Sequence, residues 1–325
     1  MNPKVSVIVI TYNHKNFLRQ TLDSVVNQQV SFNYELIISD DCSTDGTQSI
    51  ILEYQKKYPT LIKPLLHAKN LGGFGKNNTL AALEACTGTY IAALDGDDYW
   101  ISPHKLQKQV DFLEANPAFS GCFHNASIVY DNDQLPPELV NQPDQKKVIT
   151  EEDMVGEDEV WFIATSACMF RNGILKEYPK WFHESKSGDI PRYVLLCKWG
   201  PMGYLDEVMS VYRKNPVGLS FTDSKFDAPY IRNRIGMFKA IDAEYNFRFH
   251  DKMRYALAKY YLFLAGCKGV KERWWERSYY ALKALALSRP NNADYLKKIL
   301  LNYVIPIWAM EIYSKVKWRI EKLVT

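Results

Sequence analysis

The chain has 325 residues, of which 47% are hydrophobic and 24% charged, a balance found in folded globular proteins and not in disordered ones. Its 40 basic and 37 acidic residues leave a formal net charge of +3, without the uncompensated stripe of lysine and arginine that follows a nucleic-acid backbone, so DNA and RNA are not expected partners. The six cysteines (Cys42, Cys86, Cys122, Cys168, Cys197 and Cys267) form no CxxC pair, which argues against zinc and dithiol chemistry and for free thiols in a reducing cytosol.

Val5 to Ile10 is β-branched and nearly continuously apolar, as a strand buried on both faces of a parallel sheet should be. The same run is too short for a signal-peptide core, and no stretch reaches the roughly 20 apolar residues of a spanning helix, so a cytoplasmic location is expected. A helix is predicted over 15–28, a strand over Tyr34 to Ser39, and a helix from about Asp45 to Lys57 with Ile50, Ile51 and Tyr54 on one side. A strand near Ile62 to Leu66, a helix from Asn77 to Ala85 and a strand from Tyr90 to Leu94 continue the alternation, which indicates an α/β fold with a doubly wound sheet. Ser102-Pro103 opens a further helix that ends before Pro117.

Residues 119–130 and 160–171 are predicted as strands, with the polar and acidic insert Asp131 to Asp158 read as a solvated loop. Beyond about residue 220 strand signals vanish, and 230–245, 251–266, 272–288 and 293–325 have helical periodicity. Two domains are therefore expected, 1–220 and a helical region 221–325. Tyr279 to Pro290 has the look of one arm of a helical-hairpin repeat, although one arm makes no array.

In an open α/β sheet the ligand sits beyond the carboxyl ends of the strands. The first strand ends in Thr11-Tyr12-Asn13, the second in Asp40-Asp41 and the fourth in Asp95-Gly96-Asp97-Asp98, so an aromatic ring, an acid pair and an acid triplet converge on one edge. The first turn lacks the glycines of a GxGxxG dinucleotide site and offers a ring for stacking on a base and backbone groups for the base's edge. Asp95, Asp97 and Asp98 repel one another unless a cation neutralises them, and Mg²⁺ or Mn²⁺ held by carboxylates and substrate phosphates would do so. The acids could instead serve as turn residues ahead of the Ser102 helix. Asp41 could accept from the imide N–H of uracil or an equivalent donor, or simply shape the turn it sits in. The glycine-rich loop Asn70 to Asn77, with its one lysine, Lys76, could close over a diphosphate but lacks the Walker spacing of an ATPase.

VSVIVITYN, ISDDCSTDGT, NLGG with Lys76-Asn77, and LDGDDYW, spread over residues 4–115, resemble the ordered signatures of family 2 glycosyltransferases of the GT-A fold. The resemblance maps the family's DXD motif onto Asp95-Gly96-Asp97, which implies Asp97 as the main metal ligand and Asp95 as a contact near the ribose or the metal. Tyr12 and Asp41 match base-binding positions, and Thr11, Asn13 and Gly96 are expected donor contacts beside them. Family members often carry Ala-Arg-Asn where this chain has Gly75-Lys76-Asn77, which implies Lys76 as a diphosphate contact. Asp189, in Ser187-Gly188-Asp189-Ile190-Pro191 ahead of a helix Tyr193 to Lys198, matches the family's general base; it could also be an acid favoured by that helix's dipole. Gly203 to Arg213 resembles the closing strand, after which Asn215 stands where a histidine is common.

The function so implied is an inverting transfer of a sugar from a nucleotide diphosphate sugar, most simply a UDP-sugar, to a glycan or lipid-linked acceptor in bacterial surface polysaccharide synthesis. The rivals are a nucleotidyltransferase, which would want a basic glycine-rich loop after the first strand, and an inactive saccharide- or protein-binding module. From Lys297 to Thr325 six basic side chains face two acids amid many apolar and aromatic residues, with Pro306 as a break. That tail could lie on the anionic inner face of the membrane, pack on the transferase domain, or form the seam of a homodimer.

Overall fold

The computed structural model describes residues 2–131, 136–155, 162–215, 227–288, 293–306, 309, 312 and 315. Its described residues form two compact units, one up to Asn215 and one from Asp227 onward. The first unit opens with β1 (Val5–Thr11), α1 (Leu18–Val26), β2 (Tyr34–Asp40), α2 (Thr47–Lys57), β3 (Ile62–Leu66), α3 (Lys76–Glu84) and β4 (Tyr90–Asp95). β1 pairs in parallel with β2 and β4, and β2 with β3. Side chains alternate across the sheet, so Val5, Val7, Val9, Leu36 and Ile38 share one face, where they meet Leu18, Leu22 and Val25 of α1 and Ile50, Ile51 and Tyr54 of α2. Each such aliphatic side chain contributes about 2 kcal/mol on burial. The other face carries Ser39, whose hydroxyl meets Asn78 of α3.

The chain continues through β5 (Tyr99–Trp100), α4 (Lys105–Ala115), β6 (Gly121–Tyr130), β7 (Glu138–Leu139), β8 (Val148–Ile149), α5 (Glu151–Met154), β9 (Met169–Arg171), α6 (Lys180–Glu184), α7 (Asp189–Cys197) and β10 (Met202–Lys214). The sheet order is β3-β2-β1-β4-β9-β6-β10-β5, with β7 on β6 and β8 on β10. It is mixed: β9 runs antiparallel to both β4 and β6, and so joins the parallel β1–β4 half to the parallel β6–β10 pair. Two expectations change here. The strand expected over 160–171 is only Met169–Arg171, preceded by a tight turn at Thr165–Ala167, and residues 156–161 lie outside those described. The insert expected to be a loop carries β7, β8 and α5; Thr150 and Asp153 form a reciprocal capping box on α5, and Ile149, Met154 and Val155 are buried.

The second unit holds α8 (Ala228–Glu244), α9 (His250–Gly266), α10 (Trp274–Ser288) and α11 (Ala293–Ile299). Asp227 caps α8 by accepting from the Tyr230 N–H at 2.7 Å, with Pro229 in the first turn. Glu276 on α10 is buried between Arg232 of α8 and Arg273, at 2.5 and 2.6 Å. The helix expected over 293–325 is α-helical to Ile299 and continues as one wide π-helical turn, Leu300–Val304, whose carbonyls at Tyr303 and Val304 accept from Arg277, Ser278 and Trp274 of α10; it breaks at Ile305-Pro306, and Ala309, Ile312 and Lys315 are helical again. Most of the tail beyond Pro306 lies outside the described residues. Among the described residues no helix is long and apolar enough to cross a membrane.

Candidate active site

The register of the parallel strands decides which residues meet. Thr11 lies beside Asp40, and Ile10 beside Asp95, so the turns after β1, β2 and β4 share one edge. Asn13, held at φ 56°, staples the first two turns together: its N–H donates to Ser43 Oγ at 2.8 Å and its Oδ1 accepts from the Thr44 N–H at 2.8 Å. Asp40 is consumed locally by Ser43 and Gln48. Asp41 is buried, its N–H bonded to the Thr11 carbonyl and its Oδ1 accepting from the Leu71 N–H at 2.6 Å, which ties the glycine-rich loop to this edge. Beside them Tyr12 is 46% exposed.

The acid triplet turns tightly. Asp98 N–H donates to the Asp95 carbonyl at 3.0 Å, and Thr21 Oγ1 donates to the carbonyls of Gly96 and Asp98 at 2.9 and 2.7 Å. Gly96 has no room for a side chain, since a Cβ there would lie 2.7 Å from His14 Nδ1 and 2.8 Å from Thr11 Oγ1. The turn leads into β5, whose antiparallel pairing with β10 (Tyr99 beside Val211) lays the end of β10 along the acids. Arg213 N–H therefore donates to Asp98 Oδ1 at 2.8 Å, and Asn215 Nδ2 to Asp97 Oδ2 at 2.9 Å.

Asp98 is 1% exposed and its Oδ2 is buried without a hydrogen-bond partner. Burial first, then the charges of Asp97 and Asp95, push its carboxyl well above the usual range. Asp95 is pushed up to about 7 by burial, Asp97 and Asp189, against the opposing pull of Arg192 and Thr165. Asp189 is thus electrostatically part of the same cluster. It opens α7, and its Oδ1 accepts from Ser187 Oγ at 2.6 Å and from the Ile190 N–H at 2.9 Å.

This cluster of acids, only partly offset by Arg192 and Arg213, suits a divalent cation. Asp97 and Asp95 offer the carboxylates and Asn215 an amide oxygen, all hard ligands suited to Mg²⁺ or Mn²⁺. Among the described residues no group of three or more His, Cys, Asp or Glu forms a ready cage. An ion completed by substrate phosphates needs none.

Of the residues singled out from sequence, Thr11, Tyr12, Asn13, Asp41, Asp95, Gly96, Asp97 and Asp189 come together in the first unit. Lys76, expected at the diphosphate, donates through its ammonium to the backbone carbonyls of Phe182 at 2.9 Å, His183 at 2.7 Å and Ser185, and the residue is 4% exposed. Sequence reasoning missed Arg192, buried on α7 one turn after Asp189 with its Nε unpartnered, and the Asn215–Asp97 bond. The only signal for Arg192 was its spacing of three from Asp189 on a helix, which places both on one side.

Residues 6–179 match the family described as Glycosyl transferase family 2. The chain belongs to that family. It is 32% identical over 236 residues to the uncharacterized protein Rv1520 of Mycobacterium tuberculosis, covering 68% of this chain and 62% of the relative, so the chain spans about three fifths of that protein. Over 115 residues it is 37% identical to an Escherichia coli protein named UDP-Glc:alpha-D-GlcNAc-diphosphoundecaprenol beta-1,3-glucosyltransferase WfaP, 35% of this chain and 43% of that one. The fold is similar to Staphylococcus aureus TarS 1-349 in complex with UDP-GlcNAc (TM-score 0.55, 17% identity, 88% of this chain and 89% of that one). It is also similar to mannosyltransferase PcManGT from Pyrobaculum calidifontis in complex with GDP-Man and Mn²⁺ (TM-score 0.55, 16% identity, 93% and 79%).

Proposed function

We propose that this family 2 protein is an inverting glycosyltransferase that moves a sugar from a nucleoside diphosphate sugar to a glycan or lipid-linked acceptor in bacterial surface polysaccharide synthesis. The observation that carries the reading is the meeting of Asp95, Asp97 and Asp189 beside the Tyr12 ring and Asp41 at the carboxyl edge of the parallel strands. Tyr12 stacks on the base, the turns fixed by Asn13 and Asp41 receive its edge and the ribose, and Asp97 with Asp95 holds Mn²⁺ or Mg²⁺. Such an ion supplies charge neutralisation at the diphosphate leaving group.

Asp189 takes the proton of the acceptor hydroxyl. Two donors fix its Oδ1, which orients the carboxylate and leaves the base role to Oδ2. A separate acid is needed for this step, because a carboxylate bound to a cation has its lone pairs occupied. The names of the WfaP and TarS matches favour UDP as the donor nucleotide.

A lipid-linked acceptor would give peripheral contact with the cytoplasmic face of the membrane a purpose. In the second unit Trp274 and Trp275 are 48% and 65% exposed at the start of α10, and the exposed Lys268, Lys271 and Arg273 precede them. Tryptophan beside cationic side chains is the composition of an interfacial anchor. A homodimer seam would cover the same side chains. A thermal-shift panel of UDP-, GDP- and dTDP-sugars with and without Mn²⁺ tests the reading: one donor should stabilise the protein only with the metal, and indifference to every donor would sink it.

A further inference from the structure

Lys76 begins α3 immediately after the glycine-rich loop, where Gly72, Gly73, Phe74 and Gly75 all have positive φ. An ammonium has three N–H donors. Here the three carbonyls of Phe182, His183 and Ser185 take them, and the Phe182 ring lies 5.6 Å from the same nitrogen. Those carbonyls belong to the last turn of α6 and the residue after it; the Phe182 carbonyl also accepts from the Ser185 N–H at 3.3 Å, and a cation opposes the helix dipole at this end.

The contact is not confined to the ammonium. Gly188 lies against the aliphatic stem, so that a Cβ on it would meet Lys76 Cγ at 3.2 Å and Cβ at 3.4 Å. From Ser185 a short chain of bonds leads to the proposed base. Ser185 Oγ accepts from the Ser187 N–H at 3.2 Å, and Ser187 Oγ donates to Asp189 Oδ1 at 2.6 Å. Both ends of the segment 182–189 are thereby referred to one buried side chain on the glycine-rich loop. That loop is itself bonded to Asp41 through the Leu71 N–H.

We infer that Lys76 is a positioning residue for Asp189, anchoring the segment that carries it to the donor-side loop, and is no contact to the diphosphate. The inference rests on the transferase reading for what Asp189 does, but the anchoring itself can be read without turnover.

The test compares wild type with Lys76→Met and with Lys76→Arg, which keeps the charge and should keep the fold if methionine does not. Hydrogen exchange of the 182–190 amides should speed up at least about tenfold in Lys76→Met while β1 and β2 stay protected. The affinity for UDP with Mn²⁺, by calorimetry, should remain within about twofold, and kcat should fall about tenfold or more with little change in the donor KM. In Lys76→Arg the guanidinium, a planar fork, cannot point three donors at three converging carbonyls, so kcat should fall with UDP affinity kept. Unchanged exchange at 182–190 with UDP affinity lowered about tenfold, in either variant, would overturn the inference and restore the diphosphate contact. If wild type binds and transfers nothing, the transferase reading fails, and the exchange result still decides whether Lys76 anchors the segment.

Discussion

Replacing Lys105 by methionine should make the protein more stable, although the lysine is as buried as any side chain in the fold. Lys105 is the first residue of α4, its Nζ has no hydrogen-bond partner, and the Trp100 ring centroid is 3.9 Å away. Burial pushes its pKa down to about 7 from the ordinary 10.5, and its place at a helix N-terminus adds to the cost of a positive charge. A fall of that size corresponds to about 5 kcal/mol. The folded state gives up its proton more readily than the unfolded one, so between pH 7 and pH 10.5 the unfolded chain binds more protons and stability rises with pH. The penalty is fully present below about pH 7, about 3 kcal/mol at pH 8, and gone near pH 11. Methionine has a similar length and removes the penalty, and any attraction of the ammonium to the Trp100 ring is already contained in the folded pKa. Lys105→Met should therefore gain up to about 5 kcal/mol at pH 6, about 3 kcal/mol at pH 8, and about 1 kcal/mol or less at pH 10. Urea unfolding followed by tryptophan fluorescence, comparing midpoints at equal slope across that range, measures it. A variant less stable than wild type by the same amount at every pH would refute the reasoning.

Two further variants, one single and one double, test the proposed roles of named side chains. Asp189→Asn should lower kcat by roughly 10²-fold or more, the scale of a lost general base, and leave donor affinity within about twofold; wild-type turnover would move the role to another acid such as Glu184. Replacing both Trp274 and Trp275 by serine should abolish a weak, salt-sensitive binding to vesicles rich in anionic lipid at low ionic strength; wild-type protein that stays in the supernatant would leave packing or dimerisation as the use of those rings.

Much of the donor edge could be read from the sequence because its information is local. The runs Val5 to Ile10 and Tyr34 to Ser39 are strands by composition alone, and the acids that end β2 and β4 follow their strands directly. The apolar positions of α1 and α2 repeat at helical spacing and are buried as that spacing requires. Where function or topology depends on distant partners, the sequence was silent. A strand over 160–171 was legible, but nothing near Met169 says that only three residues of it insert, antiparallel, between β4 and β6. A lysine beside glycines looks the same in sequence whether it meets phosphates or, as Lys76 does here, carbonyls 106 to 109 positions away. The bond from Asn215 to Asp97 spans 118 positions and exists only because β5 and β10 pair. The 131–158 insert was mistaken for a loop since β7 and β8 are two residues each, too short to show alternation. The capping box of Thr150 and Asp153 was legible there and went unused.

If the acids at the β4 edge bind a nucleoside diphosphate sugar through a divalent cation, titration of UDP-sugars into wild type and into Asp97→Asn by calorimetry, with Mn²⁺ and with EDTA, shows it. Binding by wild type with Mn²⁺ should weaken at least about tenfold in EDTA and to the same extent in Asp97→Asn with the metal present. Donor affinity that neither EDTA nor the substitution changes would contradict it.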